Sequence, residues 1–485
     1  MPSPLVVVAL DGAGAPLPGV TITWSVTEGG GIVAPTTVTS DARGLARATW
    51  TLGTVAGANS ARADATETFY VEFSATGTAG QVVGVELDSS EITVDLGRTA
   101  QLEAEAWDQY GNRVTGETFS WTSADSGVAT VSQDGEITPV AKGSTTITAR
   151  AASGPSDSAS VTVPDPPLRY LAFLRGIELG SAVNDLPLDA DSTYRLTLDR
   201  EFNSITPESV MKFWALRPTR GTFDFARADR LMEFAEGSAM VVHGHTLVWH
   251  VALPGWLVNG DFNKSELLSI LKDHILTVVG RYEGRVAAWD VVNEAVADDG
   301  ISLRNGIWLE TIGPEYIDSA FTWAAQADPA ARLYYNDYSG EGLGAKSDGI
   351  FNLVSDLVAK GVPIHGVGLE SHFELNGAPP EQDVIDNMTR IAGLGLEVRI
   401  SELDVRIRET PTQSDFDDQA VTYRSMLRAC LSAVNCTAIA MWGFSDAYSW
   451  IPAFFPGWGW ATILDETFNP KPAYWALFDE LSNPD

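Results

Sequence analysis

Trp289-Asp290-Val291-Val292-Asn293-Glu294 is a short apolar run that ends in an amide and a carboxyl. Ile400-Ser401-Glu402-Leu403-Asp404-Val405-Arg406, 108 positions further on (294 to 402), repeats the pattern. Each reads as a buried strand that stops in polar groups. A carboxyl in such a place is costly unless the site uses it. Two glutamates so far apart in sequence share a pocket only in a fold that gathers strand ends on one face. A parallel barrel does this, because all its strand C-termini open on the same side. A carboxyl pair facing across a pocket is the equipment for breaking a glycosidic bond.

The surrounding sequence extends this reading. Beyond residue 166, short apolar strands alternate with helical stretches such as 225–235, 265–282 and 347–360, the pattern of repeated β/α units. Eight strands are expected, near 177–182, 202–205, 241–249, 287–293, 332–335, 366–370, 397–401 and 438–443. Nearly every one runs into His, Glu, Asp, Asn or Trp at its C-terminal end. A stretch of about 320 residues suits one α/β (β/α)8 (TIM) barrel, expected over residues 166–485.

The first 165 residues differ sharply. They are rich in Thr, Ser, Val, Ala and Gly, and short alternating runs at 20–26, 44–50, 100–106 and 144–150 lie between turn signals. That spacing predicts antiparallel all-β sandwiches. Two are expected, over 1–80 and 81–165, with a joint near Ala79-Gly80. Val163-Pro164-Asp165-Pro166-Pro167 reads as a stiff linker, since proline restricts the backbone to extended forms.

The 485 residues are 45% hydrophobic, which excludes a disordered chain. The net charge is −33, from 64 acidic and 31 basic residues, which argues against nucleic acid and anionic membrane surfaces as partners. No apolar run reaches about 18 residues, so no membrane span is expected. The start, Met1-Pro2-Ser3-Pro4-Leu5, lacks a charged segment and a cleavage site and begins inside a strand pattern, as a trimmed start would. Cys430 and Cys436 are the only cysteines. They lack further ligands for a metal nearby, and a local disulfide in an exported protein is expected. A monomer, secreted or at the cell surface, follows from these readings.

Residues 170–480 resemble the catalytic domain of glycoside hydrolase family 10, the endo-β-1,4-xylanases. The resemblance rests on ordered motifs: Phe202-Asn203-Ser204-Ile205-Thr206-Pro207-Glu208, Gly244-His245-Thr246-Leu247-Val248-Trp249-His250, Trp289 to Glu294, Asn336-Asp337-Tyr338, Ser371-His372, Ser401-Glu402-Leu403-Asp404 and Trp442-Gly443-Phe444-Ser445-Asp446. It implies a retaining hydrolase of a xylan-like polysaccharide or oligosaccharide, with no cofactor and no metal. Glu402 matches the nucleophile and Glu294 the acid/base, with carboxyls expected about 5–5.5 Å apart. His372 and Asp404 match the pair beside the nucleophile, and Asn293 the contact to the sugar 2-hydroxyl. His245 and Trp249 match residues lining the −1 subsite, Trp442 and Trp450 the aromatic walls around the −1 and −2 sugars, and Glu208 and Lys212 contacts to the −2 sugar. Tyr338 matches the leaving-group side. The family often has a disulfide placed like Cys430–Cys436.

The N-terminal part also resembles known families. Residues 1–80, with Gly19-Val20-Thr21-Ile22-Thr23-Trp24 and Thr39-Ser40-Asp41-Ala42-Arg43-Gly44-Leu45-Ala46, look like a bacterial Ig-like domain of invasin type. Residues 81–163, with Trp121-Thr122-Ser123, Val128-Ala129-Thr130-Val131 and Ala141 to Ile147, are similar to bacterial Ig-like group 2. Spacing or display of the barrel is their expected role, with contact to glycan or cell surface as the other reading. In the barrel three positions depart from the family pattern. Ser209 stands for Asn, Ala252 for Gln and Glu370 for Gln. Bond-breaking is therefore expected intact and the glycone grip altered. A hydrolase of the same mechanism with another glycone (decorated xylan, another β-glycan or a small β-glycoside) is the second reading, and a non-catalytic glycan-binding surface protein the third.

Overall fold

Eight parallel strands close on themselves in the computed structural model, which describes residues 4–483. They are β1 (Glu178–Val183), β2 (Ser204–Pro207), β3 (Val241–Gly244), β4 (Ala288–Asn293), β5 (Arg332–Asp337), β6 (Gly366–Leu369), β7 (Glu397–Arg408) and β8 (Cys436–Met441). Each pairs in parallel with the next, and β8 returns to β1 through Glu178↔Ala438 to Ser181↔Met441. Strands buried on both faces read as near-continuous apolar runs, and β4 is buried at every position. At Gly244, the last residue of β3, an added Cβ would lie 2.2 Å from the Trp289 ring, so the strand can pass the indole only without a side chain.

Helices cover the barrel with apolar stripes. In the helix Lys264–Arg281 the buried residues Leu267, Ile270, Leu271, Ile275, Val278 and Val279 recur at helical spacing. Asn263 and Glu266 close its N-terminus as a reciprocal capping box, and Thr412 and Asp415 do the same for Gln413–Ser432. Cys430, near the end of the latter helix, is bonded to Cys436, the first residue of β8. Among the described residues no helix is long and apolar enough to cross a membrane.

Two strands depart from expectation. The third ends at Gly244 rather than Trp249. Beyond it the chain still leans on β4, but irregularly. Leu247 N–H and the Thr246 hydroxyl both bond to Asp290 O, and Val248 N–H bonds to Val291 O. Leu247 and Val248 are buried, and of the two only Val248 makes a bridge, a single parallel one to Val292. The seventh strand runs on to Arg408 instead of ending at Ser401. Past the barrel rim it finds new partners in the short strands His372–Glu374 and Trp458–Gly459.

The chain divides into two compact units between Pro166 and Pro167. The N-terminal unit holds two separate cores. One gathers Ile22, Trp24, Val33 and Ala61 between the sheet of Leu5–Val8, Leu45–Leu52 and Gly31–Ala34 and that of Thr37–Thr39, Thr21–Glu28, Gly57–Thr66 and Phe69–Gly77. The other gathers Leu102, Trp121, Ile137, Ile147 and Val161 among the remaining strands. Within this unit Asn112 ties one sandwich to the other. Its side chain donates to Thr54 O at 2.7 Å and accepts from Ala56 N at 2.9 Å.

Candidate active site

Because all eight strands are parallel, their C-terminal ends share one rim. Glu208 follows β2, His245 follows β3, Glu294 follows β4, Glu370 follows β6 and Trp442 follows β8, while Glu402 and Asp404 lie in β7. Glu294 has φ +52°, a left-handed backbone that a residue with a side chain adopts at a cost. Its surroundings enforce it. Glu294 N–H bonds to Asn336 O at 2.9 Å, Arg304 Nε donates to Glu294 O at 3.1 Å, and the next two amides both bond to the Tyr335 hydroxyl at 3.0 Å.

Glu402 is 5% exposed and held from three sides. Asn336 Nδ2 donates to its Oε1 at 2.8 Å, His372 Nε2 lies 3.2 Å from its Oε2, and His245 Nδ1 is 3.8 Å from Oε1. Burial pushes this carboxyl up, but His245, His372 and Lys212 outweigh it and leave it below the ordinary glutamate value. The His372 ring is fixed on its other side, with Nδ1 3.0 Å from Asp404 Oδ2. Asp404 in turn accepts from Trp450 Nε1 at 2.7 Å. Burial disfavours the imidazolium, yet Asp404 and Glu402 together raise His372 to about 10. Hence His372 is charged at neutral pH and keeps Glu402 ionised.

Glu294 stands in the opposite condition. Burial raises its carboxyl to about 7, the Trp249 side chain opposes this in part, and the charges of Asp337 and Glu402 add to it. One carboxyl is thus held anionic while a second keeps its proton up to neutrality, the division of labour that an acid and a nucleophile need.

The other predicted residues line the same rim. Lys212 stands 4.8 Å from the Trp249 ring and 5.7 Å from the Trp442 ring. Burial lowers the Lys212 ammonium, while Glu402, Glu208, Glu294 and Glu370 act to keep its proton. Glu208 is itself raised by burial, against Lys212. Trp442 meets His245 edge-on at 5.2 Å, and Trp450 lies 5.0 Å from His372. Tyr338 accepts from Arg304 Nη2 at 2.7 Å, and the same Arg304 holds the Glu294 backbone, so Tyr338 sits on the Glu294 side. Asn293 Oδ1 accepts from Asn336 Nδ2 at 2.8 Å. Of the three departing positions, Ala252 has φ +53°, and Glu370 is 3% exposed and shares Asn336 Nδ2 with Glu402.

Two further centres lie outside the residues expected from the sequence. The Asn336 amide reaches Asn293, Glu402 and Glu370, and its Oδ1 accepts from Ser401 Oγ at 2.6 Å. Asp290 joins His243 Nε2 at 2.8 Å and His245 Nδ1 at 3.0 Å, and Arg399 Nη1 donates to His243 Nδ1. Because Arg399 can only donate, His243 accepts at Nδ1 and presents Nε2–H to Asp290. Alternation of polar residues in β3 and β7 is the only trace of this chain in the sequence.

Glu370, His372 and Glu402 bring their polar atoms within 4.8 Å of one another, the spacing of a cation site. The donor set does not suit one. His372 faces Glu402 through Nε2 and Asp404 through Nδ1, and in its doubly protonated form it has no lone pair to offer.

A closed parallel barrel with such a carboxyl pair on its rim is a glycoside hydrolase in fold and site. More narrowly, the chain belongs to glycosyl hydrolase family 10, which residues 168–480 match. Residues 81–163 match the bacterial Ig-like domain, group 2. The chain is 46% identical over 321 residues to endo-1,4-beta-xylanase B of Thermotoga neapolitana, covering 64% of this chain and 91% of that protein. It is 39% identical over 314 residues to an endo-1,4-beta-xylanase of Agaricus bisporus, covering 64% and 93%. Among solved structures, xylanase 10B of Thermotoga petrophila RKU-1 in complex with xylobiose superposes with a TM-score of 0.64 at 44% identity, over 66% of this chain and 98% of that one. The endo-1,4-beta-xylanase XylE of Penicillium canescens gives 0.64 at 35% identity, over 66% and 99%.

Proposed function

We infer that the protein is an endo-β-1,4-xylanase that cleaves xylan by double displacement. The observation that carries this reading is the opposed state of the two glutamates, Glu402 below its ordinary value and Glu294 raised to about 7, on the rim of a family 10 barrel. Its relatives' names supply the glycan. In the first step Glu402 attacks the anomeric carbon while Glu294 gives its proton to the departing oxygen. The glycosyl ester removes the charge on Glu402. One cause of Glu294's raised value disappears with it, so Glu294 now takes a proton from water, which releases the sugar.

The supporting roles follow. His372 and Asp404 keep Glu402 ionised and aimed. Asn293, whose Oδ1 is held by Asn336, has Nδ2 to offer a sugar 2-hydroxyl. Glu208, Lys212, His245, Trp249, Trp442 and Trp450 grip the glycone, and Tyr338 borders the leaving group. Glu370 also faces the glycone. The division at residues 80 and 165, a monomeric secreted or cell-surface protein and a display role for the Ig-like units belong to the same proposal. The disulfide supports export, since such bonds persist in oxidising compartments.

The test is hydrolysis of glucuronoxylan, arabinoxylan, β-1,3-xylan, mixed-linkage glucan and an aryl β-xylobioside, beside Glu402→Ala. Xylo-oligosaccharides released by the wild type and absent with the variant support the reading. Cleavage of the aryl glycoside with no release from xylan moves the substrate to another glycan, as altered side chains at Ser209 and Ala252 would allow.

A further inference from the structure

The double-displacement chemistry uses two carboxyls, and this site holds a third. Glu370 is 3% exposed at the end of β6. Its Oε1 lies 3.2 Å from Asn336 Nδ2, and its Oε2 is 3.9 Å from His372 Nε2. Both contacts are already in use by the nucleophile, and at shorter range. Asn336 reaches Glu402 at 2.8 Å, and His372 reaches it at 3.2 Å. Asn336 Nδ2 has two protons and faces three acceptors, Asn293 Oδ1, Glu402 Oε1 and Glu370 Oε1. Among the described residues no contact to a cation is left for Glu370 alone.

We propose that Glu370 is a positioning residue that works as a neutral carboxylic acid, leaving the Asn336 protons to Glu402 and Asn293 and the His372 charge to Glu402. A neutral carboxyl is a weaker acceptor than a carboxylate, so Asn336 stays committed to the nucleophile. Its own O–H is then a donor for a sugar hydroxyl over the nucleophile. The assignment deepens the xylanase reading and rests on it for the choice of substrate.

The charged groups around Glu370 agree. Glu402 from β7, Glu294 after β4, Asp337 from β5 and Glu341 beyond β5 all oppose a further negative charge there. His372 and the more distant Lys212 favour one, but both also serve Glu402. Burial comes before all of these in pushing Glu370 well above the usual carboxyl range.

Glu370→Gln tests this in the full chain, through the pH profile of kcat/KM on an aryl β-xylobioside and through the infrared titration of carboxyl groups without substrate. The expected result is a loss of about three- to tenfold in kcat/KM with the alkaline limb unmoved or moved upward. The protonated-carboxyl C=O band present at neutral pH should lose one component in the variant. An upward move supports the proposal, since ionisation of Glu370 itself then ends activity. An alkaline limb that falls by about one pH unit overturns it, because removal of a negative charge beside Glu294 makes that acid ionise earlier. An unchanged infrared band overturns it as well. If the wild type cleaves no xylan, the substrate proposal fails while the infrared band still decides the proton.

Discussion

Glu294 and Glu402 are the same residue in different surroundings, and the surroundings decide their roles. As the proposed acid, Glu294 carries a proton at the start of the reaction, so kcat/KM should fall above about pH 7, where its buried carboxyl ionises. Glu294→Ala should remove that limb and cost about 10²–10⁴-fold on xylan. An aryl glycoside whose leaving group needs no proton should suffer far less. A variant that loses activity equally on both substrates would sink the acid assignment. At this scale the sequence showed the carboxyls clearly, because a Glu after an apolar strand has no cheap structural explanation. It did not show Asn336, whose type is at home in any turn. Its importance lies in reaching Asn293 on the adjacent β4 and Glu402 on β7, two strands away, and such reach is set by barrel register.

Two elements differ from the sequence expectation for physical reasons. The third strand stops at Gly244, short of an end expected from an apolar trace that burial and ladder pairing leave alike. The seventh runs past its expected end because its second half is paired outside the barrel. Between β5 and β6 the register sets Asn336 opposite Gly368, where an added Cβ would fall 2.0 Å from Asn336 Oδ1. Gly368→Ala should therefore push the amide off Glu402 while the barrel still folds. We expect kcat to fall about tenfold or more, with a stability loss of about 1–3 kcal/mol. Thermal unfolding and kcat measured together check it, and an unaltered kcat would show that Asn336 does not aim the nucleophile. The Cys430–Cys436 bond offers a contrast. It closes a short loop at the start of β8, the end of the barrel opposite the rim. Its loss should cost about 2 kcal/mol by chain-entropy reasoning. Cys430→Ala/Cys436→Ala should lower the Tm and leave KM unaltered; a changed KM would mean that β8 transmits the loss of the bond to Trp442.

For the molecule as a whole, stability and activity should respond to pH through the same groups. His372 is raised from 6.5 to about 10, so the folded chain keeps a proton that the unfolded chain releases. That contribution is fully present below about pH 6.5 and is lost as pH rises through about 10. Glu294, raised from 4.5 to about 7, acts in the same direction at lower pH, since its neutral form is the one that burial favours. Asp290, lowered by its histidines against burial, acts oppositely, and its contribution fades as pH falls below the ordinary aspartate value. The barrel should thus be most stable on the acidic side of neutrality. The net charge of −33 adds self-repulsion at higher pH, so the slope of Tm alone does not identify His372. The difference between wild type and His372→Gln does. Calorimetry from pH 5 to 10 should show the Tm of the wild type falling more steeply than that of the variant between about pH 6.5 and 10. The gap would correspond to at most about 5 kcal/mol, because Asp404 and Glu402 share the charge. Parallel slopes would mean that the His372 proton is held no more tightly in the fold than outside it, and the electrostatic support for an ionised Glu402 would have to come from His245 and Lys212 alone.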